Sequence, residues 1–161
     1  LPSDKIQIWT KTMNVTPPSQ GHPCGLYNSA VFSPSAESDW PAQGLNVHMI
    51  VQLQLVFCML GTDQFLTYVQ CFHVTPPTGL RTDAAATGLH ILKHAQRNNG
   101  EQIGDVLPLS HLRSPVHLIP HFGKTANPHL TTHTSHELST KFWLNRYWNK
   151  QIYYCLSLCS M

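Results

Sequence analysis

The sequence predicts a mainly β chain: a small antiparallel, partly open barrel or sandwich with one or two short helices. Three observations carry this. Val47–Leu60 and Phe65–Val74 are long strand-like runs, rich in aromatic and β-branched residues, on either side of Gly61-Thr62-Asp63. Shorter strand-like runs follow at close spacing with turn signals between them. Nothing alternates strand with amphipathic helix, as a parallel βαβ fold would require.

The elements follow in order. Lys5–Lys11 alternates, with Ile6 and Ile8 on one face, and predicts a first strand. Residues 14–46 hold Pro17, Pro18, Gly21, Pro23, Gly25, Pro34, Pro41 and Gly44. That density predicts an irregular Pro/Gly-rich arm or loop, pinned to the core by Tyr27 and Trp40. In Val47–Leu60, residues Val47, Met49, Val51, Leu53, Leu55, Phe57 and Met59 share one face, alternating with His48, Ile50, Gln52, Gln54, Val56 and Cys58. Gly61-Thr62-Asp63 predicts a hairpin turn into Phe65–Val74, which Pro76-Pro77 ends. Leu89–Ala95 predicts a strand that pairs with Ile103–Leu109 across the Asn98-Asn99-Gly100 hairpin signal. Ser110 predicts a single helical turn through Arg113, and Val116–Ile119 a further strand. Thr134-x-x-Glu137 has the capping-box pattern and predicts a short helix starting near Leu138. Phe142–Trp148 and Ile152–Leu156 fit strand or short helix alike.

Residues 1–161 fit one domain, which buries roughly two-thirds of its unfolded surface. Charged residues are 11% of the chain, against about 25% in an average folded protein. A surface of Thr, Ser, Asn, Gln and His is poorly protected against self-association. Residues 1–80 carry two lysines against four carboxylates, and residues 81–161 carry eight Lys/Arg against four. The basic half makes DNA a candidate partner. Five cysteines without a CxxC pair or regular spacing predict free thiols and an intracellular, reducing compartment. Residues 1–12 lack the apolar core of a signal peptide, and Gln52 and Gln54 break the longest apolar run, so no membrane is expected as partner.

Eleven histidines suggest metal chemistry first. His129-x3-His133-x2-His136 is the densest group, with His117 and His121 upstream, and zinc takes imidazole well. A histidine-dependent metal module or hydrolase is therefore the alternative function. Pro128 and the Thr-rich surroundings oppose a helix there, and a polar surface in which His replaces other hydrophilic residues is the simpler reading. There is no Gly-x-Ser-x-Gly, no phosphate-cradling loop and no evident carboxylate pair. No catalytic residue, no cofactor and no enzyme activity are expected. The C-terminal aromatics have three readings. Phe142, Trp143, Tyr147, Trp148, Tyr153 and Tyr154 could form a cage for a cation. They could stack on bases, with Arg146 and Lys150 on phosphates. Core packing is the reading the composition favours.

Ser38-Asp39-Trp40-Pro41, Val51-Gln52-Leu53, Phe65-Leu66-Thr67-Tyr68-Val69-Gln70, Leu118-Ile119-Pro120, Phe122-Gly123 and Phe142-Trp143-Leu144-Asn145 carry a family resemblance. Tyr147, Lys150, Tyr154, Leu156 and Ser157 continue it. These pieces resemble the C-terminal region of transposon-derived proteins of mushroom-forming fungi, of the Plavaka or CACTA-like transposase type. The marker region is 104–157. The resemblance implies a tail domain of unknown function, with the DDE/D catalytic core upstream, so no family catalytic residue is carried over. It implies a non-catalytic accessory or interaction domain, with DNA, a chromatin protein or a second copy as partner, and a nuclear location. His121 stands where the family resemblance leads one to expect an arginine, and the loop after Met59 looks shortened, which implies a diverged copy. The strand order also resembles the small barrels of chromatin-associated modules, an analogy of fold only.

Overall fold

The structure is a computed structural model that describes residues 12–36, 40–42, 44–45, 47–75, 87–123, 125, 127–131 and 133–158. The strand predicted over Lys5–Lys11 lies outside these residues. The described chain is mainly β, a nearly closed antiparallel barrel-like sheet with two short helices. The strands are β1 (Val15–Thr16), β2 (Leu26–Tyr27), β3 (Ser29–Phe32), β4 (Met49–Cys58), β5 (Phe65–Thr75), β6 (Ile91–His94), β7 (Gly104–Pro108), β8 (Leu112–Val116), β9 (Leu118–Pro120) and β10 (Phe142–Leu144). The helices are α1 (Ser135–Leu138) and α2 (Lys150–Leu158), and a 3-10 turn spans Leu109–His111.

One long hairpin organises everything else. β4 pairs with β5 from Val51↔Cys71 to Cys58↔Phe65. The loop between them closes with a bond from the Met59 N–H to the Gln64 carbonyl, and Gly61 supplies the positive φ of 78° that the turn requires. β3 lies on the other edge of β4, with all four residues buried. β8 pairs with β3, and β7 pairs with the first half of β5. The order β8-β3-β4-β5-β7 brings the two edge strands into sequence, because the Leu109–His111 turn alone separates β7 from β8. Ala30, Phe32, Val51, Leu53 and Val69 fill the enclosed core, with Leu107, Leu112, Met13, Val15 and Cys71 packed around them.

The second half of β5 pairs with β6, β6 with β10, and β10 with β9. β9 follows β8 across the single residue His117. Residues 112–120 therefore run from the barrel into the second sheet. A second core lies between them, built from Val31, Ile50, Phe72, Leu92, Val116, Leu118, Phe142 and Leu144. α2 covers it with Ile152, Cys155 and Leu156, whose spacing puts all three on one helical face. The Asn149 side chain accepts from the Ile152 N–H at 2.9 Å, the geometry of an N-cap.

Several expectations are corrected. Residues 14–46 contribute β1, β2 and the buried strand β3; the proline and glycine density lies in the connections. The Asn98-Asn99-Gly100 turn forms, with a Gln96↔Gln102 bridge. Yet β6 and β7 do not pair as one hairpin: they lie end to end along β5, which offers hydrogen bonds to each in turn. The short helix ends at Leu138 rather than starting there. Thr134 does not cap it, because its hydroxyl donates to the His129 carbonyl at 3.1 Å and accepts from the Thr131 N–H at 2.9 Å. The single-face reading of β4 fails at a bulge between Leu53 and Leu55, beyond which Leu55 is 54% exposed.

Candidate functional site

A cleft of about 430 Å³ opens where the outward face of the barrel meets the second sheet and α1. That volume is in the range of small-ligand and side-chain sites. Its floor comes from β4 and β5. Val51 and Leu53 turn into the barrel, so the alternate positions Gln52 and Gln54 turn outward. Gln52 stands opposite Gln70 in the register. The Gln54 Nε2 donates to Oε1 of Gln52 at 3.0 Å and of Gln70 at 3.3 Å. This leaves the amide N–H groups of Gln52 and Gln70 and the Gln54 carbonyl without protein partners among the described residues. The floor thus offers both donors and an acceptor.

The walls are imidazoles. Among the described residues, His22, His94, His117, His133 and His136 line the cleft, with Tyr27 on the β2 side. His94 and His136 rest on the buried ring of Phe142. His136 stacks on it at 5.7 Å between centroids, and His94 meets it edge-on at 5.6 Å while stacking on Phe72 at 4.7 Å. Burial pushes the pKa of both below its ordinary value, and the nearby His117 adds to the effect at His136. His94 Nδ1 is buried without a hydrogen-bond partner. His117 accepts a hydrogen bond at Nδ1 from Asn145 Nδ2 at 3.1 Å and stacks on Trp148 at 5.0 Å.

The charged group of the cleft is Glu137 on α1; among the described residues no Lys or Arg lines it. Glu137 accepts the hydrogen bond of the Cys24 thiol, and this bond, more than burial or the carboxylate charge, raises the Cys24 pKa. A nucleophilic cysteine needs the opposite shift.

The predicted site residues separate into two groups. His133 and His136 line the cleft, whereas His129 is exposed and does not. Among the described residues no three His, Cys, Asp or Glu side chains stand where they could hold a metal ion. The aromatic candidates lie outside the cleft, and core packing describes few of them. Phe142 is buried, but Tyr147 is 74% exposed, and Trp148, Tyr153 and Tyr154 are also exposed. Trp143 is half-buried in β10 against His121, Arg146 rests against Tyr147 and Tyr153, and Lys150 is exposed at the start of α2. α2 explains the pattern: one face is spent on Ile152, Cys155 and Leu156, and the tyrosines between them point outward. Cys24, Cys58 and Cys71 are free thiols. Among the described residues no helix is long and apolar enough to cross a membrane.

Sequence reasoning missed the glutamine floor, His94, Tyr27 and Cys24. Gln52 and Gln54 were visible as polar interruptions of an apolar strand, but their partner Gln70 emerges only from the strand register. Comparison with family models gives a match to the domain of unknown function DUF6830 over residues 3–92. That span includes β1 to β5 and the glutamine floor, and stops short of the 104–157 region. No curated protein and no solved structure matches the chain.

Proposed function

The chain belongs to the DUF6830 family, and from that premise and the chemistry of the cleft we propose a non-catalytic protein-interaction domain. Its cleft takes an uncharged or basic segment of a partner protein. The observation that carries this is the lining: amides, imidazoles and one carboxylate, with no Lys or Arg among the described residues. Backbone amides and polar side chains of a peptide return the hydrogen bonds that Gln52, Gln54 and Gln70 offer. A nucleic-acid backbone needs Lys or Arg on its phosphates, which this lining does not supply. A chromatin protein therefore fits the cleft better than DNA. The raised Cys24 pKa supports a binding role over nucleophilic catalysis.

We also propose that the domain is the C-terminal region of a transposon-derived protein of the Plavaka or CACTA-like kind, acting in the nucleus. The support is the residue resemblance along Gly104–Leu156. A DDE/D core encoded upstream in the same gene is the expected finding; an unrelated upstream domain would remove the proposal.

Binding is tested with immobilised panels of neutral, basic and acidic peptides against the wild type and the Gln52→Leu/Gln70→Leu variant. Capture of neutral or basic peptides by the wild type, lost in the variant while its unfolding midpoint holds, is expected. Equal capture by both would place the site elsewhere. The metal alternative has His133 and His136 in one cleft with His22, Cys24 and Glu137, but no three of these stand where they could hold an ion. Stoichiometric zinc in the purified protein, lost in His133→Ala/His136→Ala, would favour it.

A further inference from the structure

We propose that Arg146 anchors an oxyanion-binding site, separate from the cleft, that takes a carboxylate or a phosphate group. Arg146 lies between β10 and α2 and is half-buried. Its guanidinium carbon is 5.1 Å from the centroid of the Tyr153 ring and 5.8 Å from that of Tyr147. The two rings are 6.0 Å apart and tilted by 34°, so they stand side by side against the cation. Ring faces attract a guanidinium but take none of its hydrogen bonds.

Among the described residues those hydrogen bonds are mostly unmade. Nη2 donates to the Ser157 hydroxyl at 3.4 Å, the long end of the range. Nε is buried with no partner. Nη1 has no partner among the described residues, and the neighbour beside it is Gly88, where even an added Cβ would stand 4.0 Å away. No carboxylate pairs with Arg146 among the described residues; the ion pair that forms is Arg97–Glu101. Ser157 lies in the last turn of α2, whose negative end offsets part of the charge and none of the missing acceptors.

The charge is felt inside the molecule. His90 is buried at 8% exposure, and its pKa is lowered first by burial and then by Arg146. A guanidinium with a buried Nε, spare donors and no carboxylate partner among the described residues is an unfinished arrangement. An anion that presents two oxygens completes it, because the guanidinium fork matches a pair of carboxylate or phosphate oxygens. Exposed Tyr147 and Tyr153 supply one wall.

The test is a two-dimensional NMR titration of the protein with inorganic phosphate and, separately, with acetate, each against sodium chloride at equal ionic strength. The Arg146 Nε–H signal and the ring signals of Tyr147 and Tyr153 are expected to shift saturably with at least one anion. Stronger binding of phosphate assigns a phosphate group as ligand, and stronger binding of acetate a carboxylate. Ser157→Ala should weaken the response, and Arg146→Gln should abolish it. No saturable shift with either anion overturns the proposal, as does an undiminished response in a folded Arg146→Gln protein. A saturable shift confined to the cleft would leave the cleft reading standing and remove this one.

Discussion

Asn149 makes more connections than its size suggests. Its Oδ1 caps α2 through the Ile152 N–H, while its Nδ2 donates to the Ser114 hydroxyl at 3.2 Å and the Pro115 carbonyl at 3.4 Å. One amide thus caps the helix and ties it to β8. Asn149→Ala is expected to cost about 1–2 kcal/mol, read from urea unfolding midpoints. A loss indistinguishable from zero would mean that the cap does not form. His94 and His136 give the chain a pH dependence with a defined sign. Burial holds both pKa values below the ordinary 6.5, so the folded state keeps them neutral where the unfolded chain takes up protons. Their contribution is complete above 6.5 and is lost as the pH falls through that value towards the lowered ones. The urea midpoint should drop between pH 7.5 and pH 5, and His94→Phe, which keeps the ring contacts and cannot titrate, should flatten the drop. The abundance of histidine was plain in the sequence. Its arrangement around Phe142 was not, because His94, His136 and Phe142 come from three separate elements.

The bulge in β4 decides what the barrel shows to solvent. Before it, Val51 and Leu53 point inward; beyond it, Leu55 and Phe57 point outward, beside Leu66 and Tyr68 of β5 and Val106 and Pro108 of β7. Leu55, Tyr68 and Val106 form one exposed cross-strand row. Exposed apolar rows on a weakly charged surface favour association. Leu55→Ser with Val106→Ser is expected to reduce self-association in sedimentation runs while changing stability by less than about 0.5 kcal/mol per site. Unchanged association would move any self-contact to another face. The period-two pattern was readable, and the bulge was not, because an inserted residue leaves no mark on composition. Gly25 is the opposite case, a residue whose identity the backbone dictates. It has φ of 75°, and an added Cβ would stand 2.8 Å from the Thr16 carbonyl oxygen. Gly25→Ala should therefore cost more than about 1 kcal/mol and disturb the β1–β2 pair at the cleft rim, read from the midpoint and the Tyr27 ring signals.

At the scale of the molecule, residues 104–120 serve as a belt. β7 pairs with β5, β8 with β3 and β9 with β10, so one stretch closes the barrel and enters the second sheet. The β class, the β4–β5 hairpin and the small helix count were legible because they rest on local periodicity. The end-to-end placement of β6 and β7, and the rise of β3 from a Pro/Gly-rich stretch, depend on pairings across the whole chain. The cleft follows from those pairings, since β2, β4, β5, β6, the β8–β9 junction and α1 all contribute to it. Its lack of Lys and Arg among the described residues is the basis for proposing a protein partner. The most direct measurement is an NMR titration of the labelled protein with a pool of short neutral and basic peptides, and in parallel with single- and double-stranded oligonucleotides. Peptide-induced shifts should concentrate on Gln52, Gln70, His94, His117 and His136, and oligonucleotides should leave these signals in place. Oligonucleotide shifts centred on those residues, with none from the peptides, would contradict the account.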